Sequence, residues 1–332
     1  MQETNWGRFS NQRKEMKKLF TIPGFFISLA TCCLLFSLAC TKTESSGINS
    51  QTSSLGYVLA NGTTTTIFNS AVVKAGLDST FSGPSLFTLM VPNDQVCNQS
   101  GYSQAVIDGF SRDQARQWVL YQTYAGTVFT FESFIGKTEQ KLIMANGDSV
   151  FVTGDSNRTY VNGYQFTNSE LTANNGTMLA LGSVLVAPTQ NLAAIVSNDT
   201  SLSFFNEAIL LSNPVPDTLS QLLSTGGPFT LLAPVNDAFR LQGYNSPSDL
   251  DTVNSDSLRS LVLLSMIPQR IFSYDVVDSS TYKTSGDSTL LFTLTGIQPT
   301  IQILGNPNTS NVISANTMAI NGVLFKLDKL LE

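Results

Sequence analysis

The chain has 332 residues, 42% of them hydrophobic, with 18 Lys and Arg against 24 Asp and Glu and a net charge of −6. It contains no histidine, which removes the usual general base and the commonest transition-metal ligand and excludes Ser-His-Asp and Cys-His hydrolysis. Beyond the first 39 residues the chain is acidic and without a basic cluster, which argues against nucleic-acid recognition, where Lys and Arg must displace counterions, and makes an anionic membrane surface an equally poor partner.

Residues 1–39 read as a leader. Arg13, Lys14, Lys17 and Lys18 precede an apolar run from Leu19 to Ala39 that ends in LLFSLAC, Leu34 to Cys40. Positive, then apolar, then small residues is the order of a secretory signal, and the cysteine makes it resemble a bacterial lipoprotein signal. That resemblance implies cleavage between Ala39 and Cys40 and lipidation of Cys40, with Ser37 standing where such signals usually have Leu. Met16, followed by Lys17 and Lys18, is a more ordinary start, so residues 1–15 read as a mis-called extension. The competing reading is an uncleaved anchor, because about 20 apolar residues span a bilayer. Removing the leader, with its five basic and two acidic residues, takes the net charge from −6 to −9. Residues 40–54 continue as a polar Ser/Thr-rich stretch that cannot bury apolar surface, and they read as a flexible tether.

The body repeats itself. FTLMVPNDQVCNQSGY, Phe87 to Tyr102, returns as FTLLAPVNDAFRLQGY, Phe229 to Tyr244. Arg116 and Phe129 pair with Arg259 and Phe272 at nearly the same offset, and Thr177, Met178 and Gly182 with Thr317, Met318 and Gly322. Two tandem domains follow, 55–187 and 191–332, each within the size range that buries its own core. Pro188, Thr189 and Gln190 form a joint short enough to favour a fixed or semi-fixed relation. Cys97 occupies the apolar slot of Phe239. Cys32 and Cys33 leave with the leader and Cys40 takes lipid, so no intrachain disulfide is available and Cys97 reads as a buried, inert thiol.

In chain order, Ala115, Trp118, Val119 and Gln122 fall at helical spacing. The second copy shows the same period in Leu202, Phe205, Ala208 and Ile209 after caps at Asp199 to Ser201, and in Leu258, Leu261, Val262 and Ser265 after Asp256. FTLLAP reads as a buried strand ended by Pro234, with Asn236 or Asp237 capping the next turn. RIFSYDVV (Arg270 to Val277), LLFTLTG (Leu290 to Gly296) and TIQILG (Thr300 to Gly305) read as strands of a meander. INGVLFKLD reads as a turn at Asn321 and Gly322 feeding a strand of alternating Val323, Phe325 and Leu327. Helices early and strands late in each copy predict an α+β class.

APVNDAF, Ala233 to Phe239, and MAINGVLFKLDKLL, Met318 to Leu331, resemble the two conserved boxes of the fasciclin-type domain. VPNDQVC (Val91 to Cys97) and MLALGSVLVAP (Met178 to Pro188) are their divergent counterparts in the first copy. The resemblance implies two tandem fasciclin-type domains, each a wedge-like β-sandwich with several packed helices. The family's Tyr-His adhesion pair corresponds to Tyr121-Gln122 and Leu264-Ser265, so neither copy keeps the histidine and receptor binding of the animal kind is not implied.

No catalytic, cofactor or metal residue is nominated. Gly-Asp-Ser at Gly147, Gly154 and Gly286 reads as turns, because no histidine activates the serine. No phosphate-cradling glycine pattern occurs. Asp249, Asp251, Asn254 and Asp256 lack the central Gly and terminal Glu of a calcium loop and read as a solvated loop or cap. No pair of carboxylates is nominated for glycoside hydrolysis. Asp followed by Ser or Thr and then by an aliphatic residue or Thr recurs, with the hydroxyl at Ser79, Ser149, Thr218, Thr252, Ser257 and Ser288. The pattern resembles the acceptor site of a bacterial O-glycosylation system, and it equally fits turns and helix starts.

The expected protein is thus a non-enzymatic, lipid-anchored cell-envelope protein whose paired domains mediate adhesion or bind an unidentified protein, matrix component or glycan. It meets the membrane through its N-terminal lipid only, as an outer-membrane lipoprotein facing the surface or the periplasm. The alternative is an accessory glycan-binding lipoprotein of an outer-membrane uptake system, which exposed aromatic rings would favour.

Overall fold

The structure, a computed structural model, describes residues 53–212, 219–294 and 299–332. The leader with Cys40, residues 41–52 of the tether and Thr218 lie outside the described residues. The first copy begins with helices α1 (Leu55–Asn61), α2 (Thr66–Ala75) and α3 (Asp78–Ser82), then strand β1 (Phe87–Pro92) and helices α4 (Asp94–Gln99), α5 (Gln104–Gly109) and α6 (Arg112–Tyr121). Strands β2 (Thr123–Ala125), β3 (Lys137–Ile143), β4 (Ser149–Gly154), β5 (Thr159–Val161), β6 (Tyr164–Ala173) and β7 (Gly176–Leu181) complete it. The second copy repeats this plan with α7 (Leu192–Asn198), α8 (Ser203–Leu211), α9 (Leu219–Thr225), β8 (Phe229–Pro234), α10 (Asn236–Leu241) and α11 (Ser255–Leu264). Strands β9 (Met266–Ile267), β10 (Ser280–Lys283), β11 (Thr289–Leu294), β12 (Pro299–Ile303), β13 (Ser310–Ala319) and β14 (Gly322–Leu327) follow.

Each copy builds one seven-stranded sheet, β2-β1-β7-β6-β5-β4-β3 and β9-β8-β14-β13-β12-β11-β10, the same order strand for strand. β1 and β7, and likewise β8 and β14, run parallel, whereas their neighbours are antiparallel. The register shifts within β6 and β13 are bulges, which let the long strand bend and carry both halves of the sheet. β1 is buried at every position because both of its faces are covered. Leu89 and Val91 join the helical core with Phe68, Phe81 and Val119, while Met90 faces Phe134, Val152, Phe166 and Leu179 inside the folded sheet. The second copy divides Leu231 and Ala233 from Leu232 in the same way.

The structure corrects several expectations. Residues 270–277 form no strand: Ile271 N donates to Thr230 Oγ1 at 2.8 Å and Phe272 N to Asp275 Oδ2 at 2.9 Å, so side chains rather than a neighbouring strand satisfy this backbone. Ile271, Phe272 and Val276 are nevertheless buried, and this burial is the source of the strand-like pattern. Leu290 to Leu294 and Thr300 to Ile303 are strands as expected. Neither Asn236 nor Asp237 caps α10. Instead Asn236 Oδ1 accepts from Phe204 N and Nδ2 donates to Thr200 O, tying α10 to the start of α8. Asp94 makes the equivalent tie to Ile67 N and Thr66 Oγ1 in the first copy. α11 is capped by Asn254 rather than Asp256. β14 alternates as expected, with Val323, Phe325 and Leu327 in one core, but Leu324 is buried in the other, so the strand has no solvent face.

The repeat register near the C-terminal box also shifts. Gly322 matches Gly176 and not Gly182, because Phe229 pairs with Gly322 as Phe87 pairs with Gly176. A Cβ at Gly322 would stand 2.2 Å from Phe229 O, and one at Gly176 2.0 Å from Phe87 O. The preceding asparagines act alike. Asn175 Oδ1 accepts from Leu55 N while Nδ2 donates to Phe81 O and Gly83 O, each at 2.8 Å. Asn321 does the same for Leu192 N, Leu223 O and Gly226 O. Phe129, similarly, is the counterpart of Ile271 and not Phe272, since their N–H groups bond to Thr88 Oγ1 and Thr230 Oγ1.

Candidate functional site

Period-two alternation in β4 creates the seam between the copies. Val150 and Val152 point into the core of the first copy, leaving Phe151 and Thr153 half-buried on the opposite face. There Phe151 packs against the sheet core of the second copy. Facing β4 is the irregular 270–276 segment. Thr153 Oγ1 donates to Asp275 Oδ1 at 2.6 Å and itself accepts from Glu139 N at 3.0 Å. Tyr160 stacks on Tyr274 with ring centroids 4.1 Å apart, and the Arg270 guanidinium lies 4.0 Å from the centre of the Phe151 ring. The copies also approach closely at Gly163, whose missing Cβ would stand 2.5 Å from Asn316 Cγ. Asn316 is anchored in turn by Ser273 N and Oγ. These contacts pack the two copies into one compact unit.

Charge in the seam is unusual. Burial pushes the Glu139 carboxyl up to about 7, with the Asp275 charge adding and Arg270 opposing. Burial also raises Asp275, against the pull of its bonds from Thr153 and Phe272 N. Burial depresses Arg270, partly offset by Glu139 and Tyr121. Tyr121 is buried and pushed up to about 12; its hydroxyl donates to Ser149 O and accepts from Asn162. Glu139 and Asp275 are a carboxyl pair that sequence reasoning did not nominate, yet neither lines any of the described cavities.

The residues singled out from sequence lie apart. Cys97 is fully buried and its thiol is pushed up to about 12, chiefly by burial, which keeps it protonated and inert. Gln122, at the position of the family's histidine, is buried and bridges Leu185 N and O, so it fastens α6 to the chain after β7. The hydroxyl of its counterpart Ser265 donates back to Leu261 O. Asp249 accepts from Asn245 N and Ser246 N, which hold its carboxyl low and make it a cap of the turn at Pro247–Thr252. No group of three or more metal-binding side chains occurs among the described residues.

All three Gly-Asp-Ser triplets lie in hairpin turns or at a strand end. Ser79, Thr252 and Ser257 are exposed, Ser149 and Ser288 are half-buried, and each follows an aspartate in a turn or at a helix start. Phe151, Thr153, Arg270 and Asp275 are the residues that sequence reasoning passed over as a site. The alternation of SVFVTG was the available signal, since its aromatic and hydroxyl positions share one face.

The fasciclin domain description matches the chain twice, at residues 63–187 and 205–332. The solved structure of a FAS1 domain pair from the insect cell adhesion molecule fasciclin I is similar over 80% of this chain and 95% of that one, at 16% identity and a TM-score of 0.39. No curated protein matches the chain.

Proposed function

The chain belongs to the fasciclin family, and from that premise we propose that it is a non-catalytic, lipid-anchored cell-envelope protein whose paired domains bind another protein or a matrix component. The seam is the observation that carries the reading. Thr153 with Asp275, Tyr160 with Tyr274 and Phe151 with Arg270 fasten the two domains face to face. A fixed pair presents two surfaces at constant spacing, so a ligand touching both loses less freedom on binding than one that must first order a flexible linker. Such a scaffold suits holding rather than turnover, in keeping with a family whose domains are generally non-enzymatic. Lipid on Cys40 would supply the anchor. Residues 41–54, fully extended, would reach about 50 Å from the bilayer.

Metabolic palmitate labelling combined with protease shaving of intact cells tests this proposal. The native protein should take up label and Cys40→Ala should not. Cleavage of the body on intact cells places it outside, and protection places it in the periplasm. An unlabelled native protein sinks the lipid anchor.

An aromatic cleft in the first domain supports the second reading, a glycan-binding lipoprotein. Tyr102 and Phe110 present half-buried rings beside Trp118 at the wall of a 600 Å³ cleft. In the second domain Val253 and Leu261 stand in place of Phe110 and Trp118. On this reading, a neutral β-glucan oligosaccharide titrated into the protein should quench Trp118 emission saturably, and Phe110→Ala should abolish the change. Unaltered emission at millimolar sugar removes the glycan reading.

A further inference from the structure

The seam leaves one strong donor set unsatisfied. Arg270 is only 9% exposed, its Nε is buried without an acceptor, and no carboxylate among the described residues lies within ion-pair distance of it. A buried guanidinium without acceptors is costly, and arginine does not relieve that cost by losing its proton. Glu139 and Tyr121 are the titratable groups that act on it, and Asp275 acts on Glu139. The carboxyl of Glu139 is partly protonated near neutrality, and Asp275 is already engaged by Thr153 and Phe272 N.

Arg270 instead borders a cavity of 430 Å³ where the two domains meet. That volume lies at the lower end of ligand-sized clefts, which run from about 300 to about 1,000 Å³. Lys141 of the first domain stands at the same cavity and is exposed, so two cations meet there. Asp148 is the one carboxylate among the described lining residues. It is exposed and already accepts from Asn146 Nδ2 at 2.7 Å. Phe151, Met318 and Ile320 supply apolar wall.

Stacking decides what this arrangement can hold. With its Cζ 4.0 Å from the centre of the Phe151 ring and Nε buried, the guanidinium has its two terminal nitrogens left to meet a planar two-oxygen acceptor. We propose that the cavity is a binding site for a small organic carboxylate, with Arg270 holding the anion edge-on. Lys141 adds charge at the mouth, and the apolar walls enclose a compact apolar body. The site exists only in the assembled pair, because Lys141 and Phe151 come from one domain and Arg270, Met318 and Ile320 from the other.

Sodium benzoate, titrated into the full-length protein at constant ionic strength against sodium chloride, is the probe. Calorimetry should show saturable one-to-one binding. The benzoate ring should shift the methyl resonances of Met318 and Ile320, and sulfate should bind more weakly because it lacks an apolar body. Lys141→Met, a change at an exposed position, should weaken binding about tenfold, and Arg270→Lys should weaken it further because it keeps charge but loses the planar fork. Absence of saturable binding overturns the proposal. So do ring shifts confined to other regions, or binding that survives both substitutions unchanged.

Discussion

Asn175→Ala lowers the stability of the first domain by roughly 3 kcal/mol, the sum expected when a buried amide's partners lose their bonds together. The side chain is 3% exposed. Its truncation strands Leu55 N at the start of α1 and the carbonyls of Phe81 and Gly83 at the end of α3. Each such group, left buried and unpaired, costs about 1–3 kcal/mol. Urea unfolding followed by Trp118 emission reports the first domain, because the chain's other tryptophan, Trp6, lies outside both fasciclin matches. Asn175→Asp, which keeps the acceptor for Leu55 N and loses both donors, falls between wild type and alanine. A midpoint for the alanine variant equal to wild type would contradict this account of the box. Asn321→Ala has a smaller effect of the same kind in the second domain, because Asn321 is only half-buried.

The paired domains are more stable in mild acid than in mild base. Glu139 has its carboxyl raised from an ordinary 4.5 to about 7 in the folded pair. A group whose folded value lies above its unfolded value contributes fully below the unfolded value and loses that contribution as pH rises through the folded one. The loss here spans the window from 4.5 to about 7. Asp275, also raised by burial, acts in the same direction. Discounted for the partial solvent exposure of Glu139, the effect is on the order of 2 kcal/mol. Thermal unfolding measured at about pH 5 and about pH 8 should show the drop, and Glu139→Gln should flatten it by stabilising the protein mainly at the higher pH. A wild-type melting temperature that rises across this interval runs against the sign. An unaltered profile in Glu139→Gln assigns the dependence to another group.

Much of the architecture was legible before the structure. FTLMVP and FTLLAP are apolar but for one threonine each, and both strands are buried at every position. α6 and α11 follow directly from the spacing of Ala115, Trp118 and Val119 and of Leu258 and Val262. The meander failed at Arg270 to Val277 because apolar alternation records which side chains are buried and not what satisfies the backbone. The matching of Gly182 with Gly322 failed for a related reason: Thr-Met recurs by composition, whereas strand pairing fixes Gly176 through its approach to Phe87 O.

The duplication, the α+β class, the placement of Cys97 in a core and the lack of histidine are written in residue identity or in spacing along a few turns or strands. The seam arises only from docking of the two domains. Thr153 and Asp275 are separated by 122 positions, and nothing local to either indicates that the outward face of β4 is covered by the neighbouring domain. Whether Glu139 holds its proton and whether Arg270 finds a partner depend on the dielectric and the donors brought by the other copy. That information exists only once the two domains are docked.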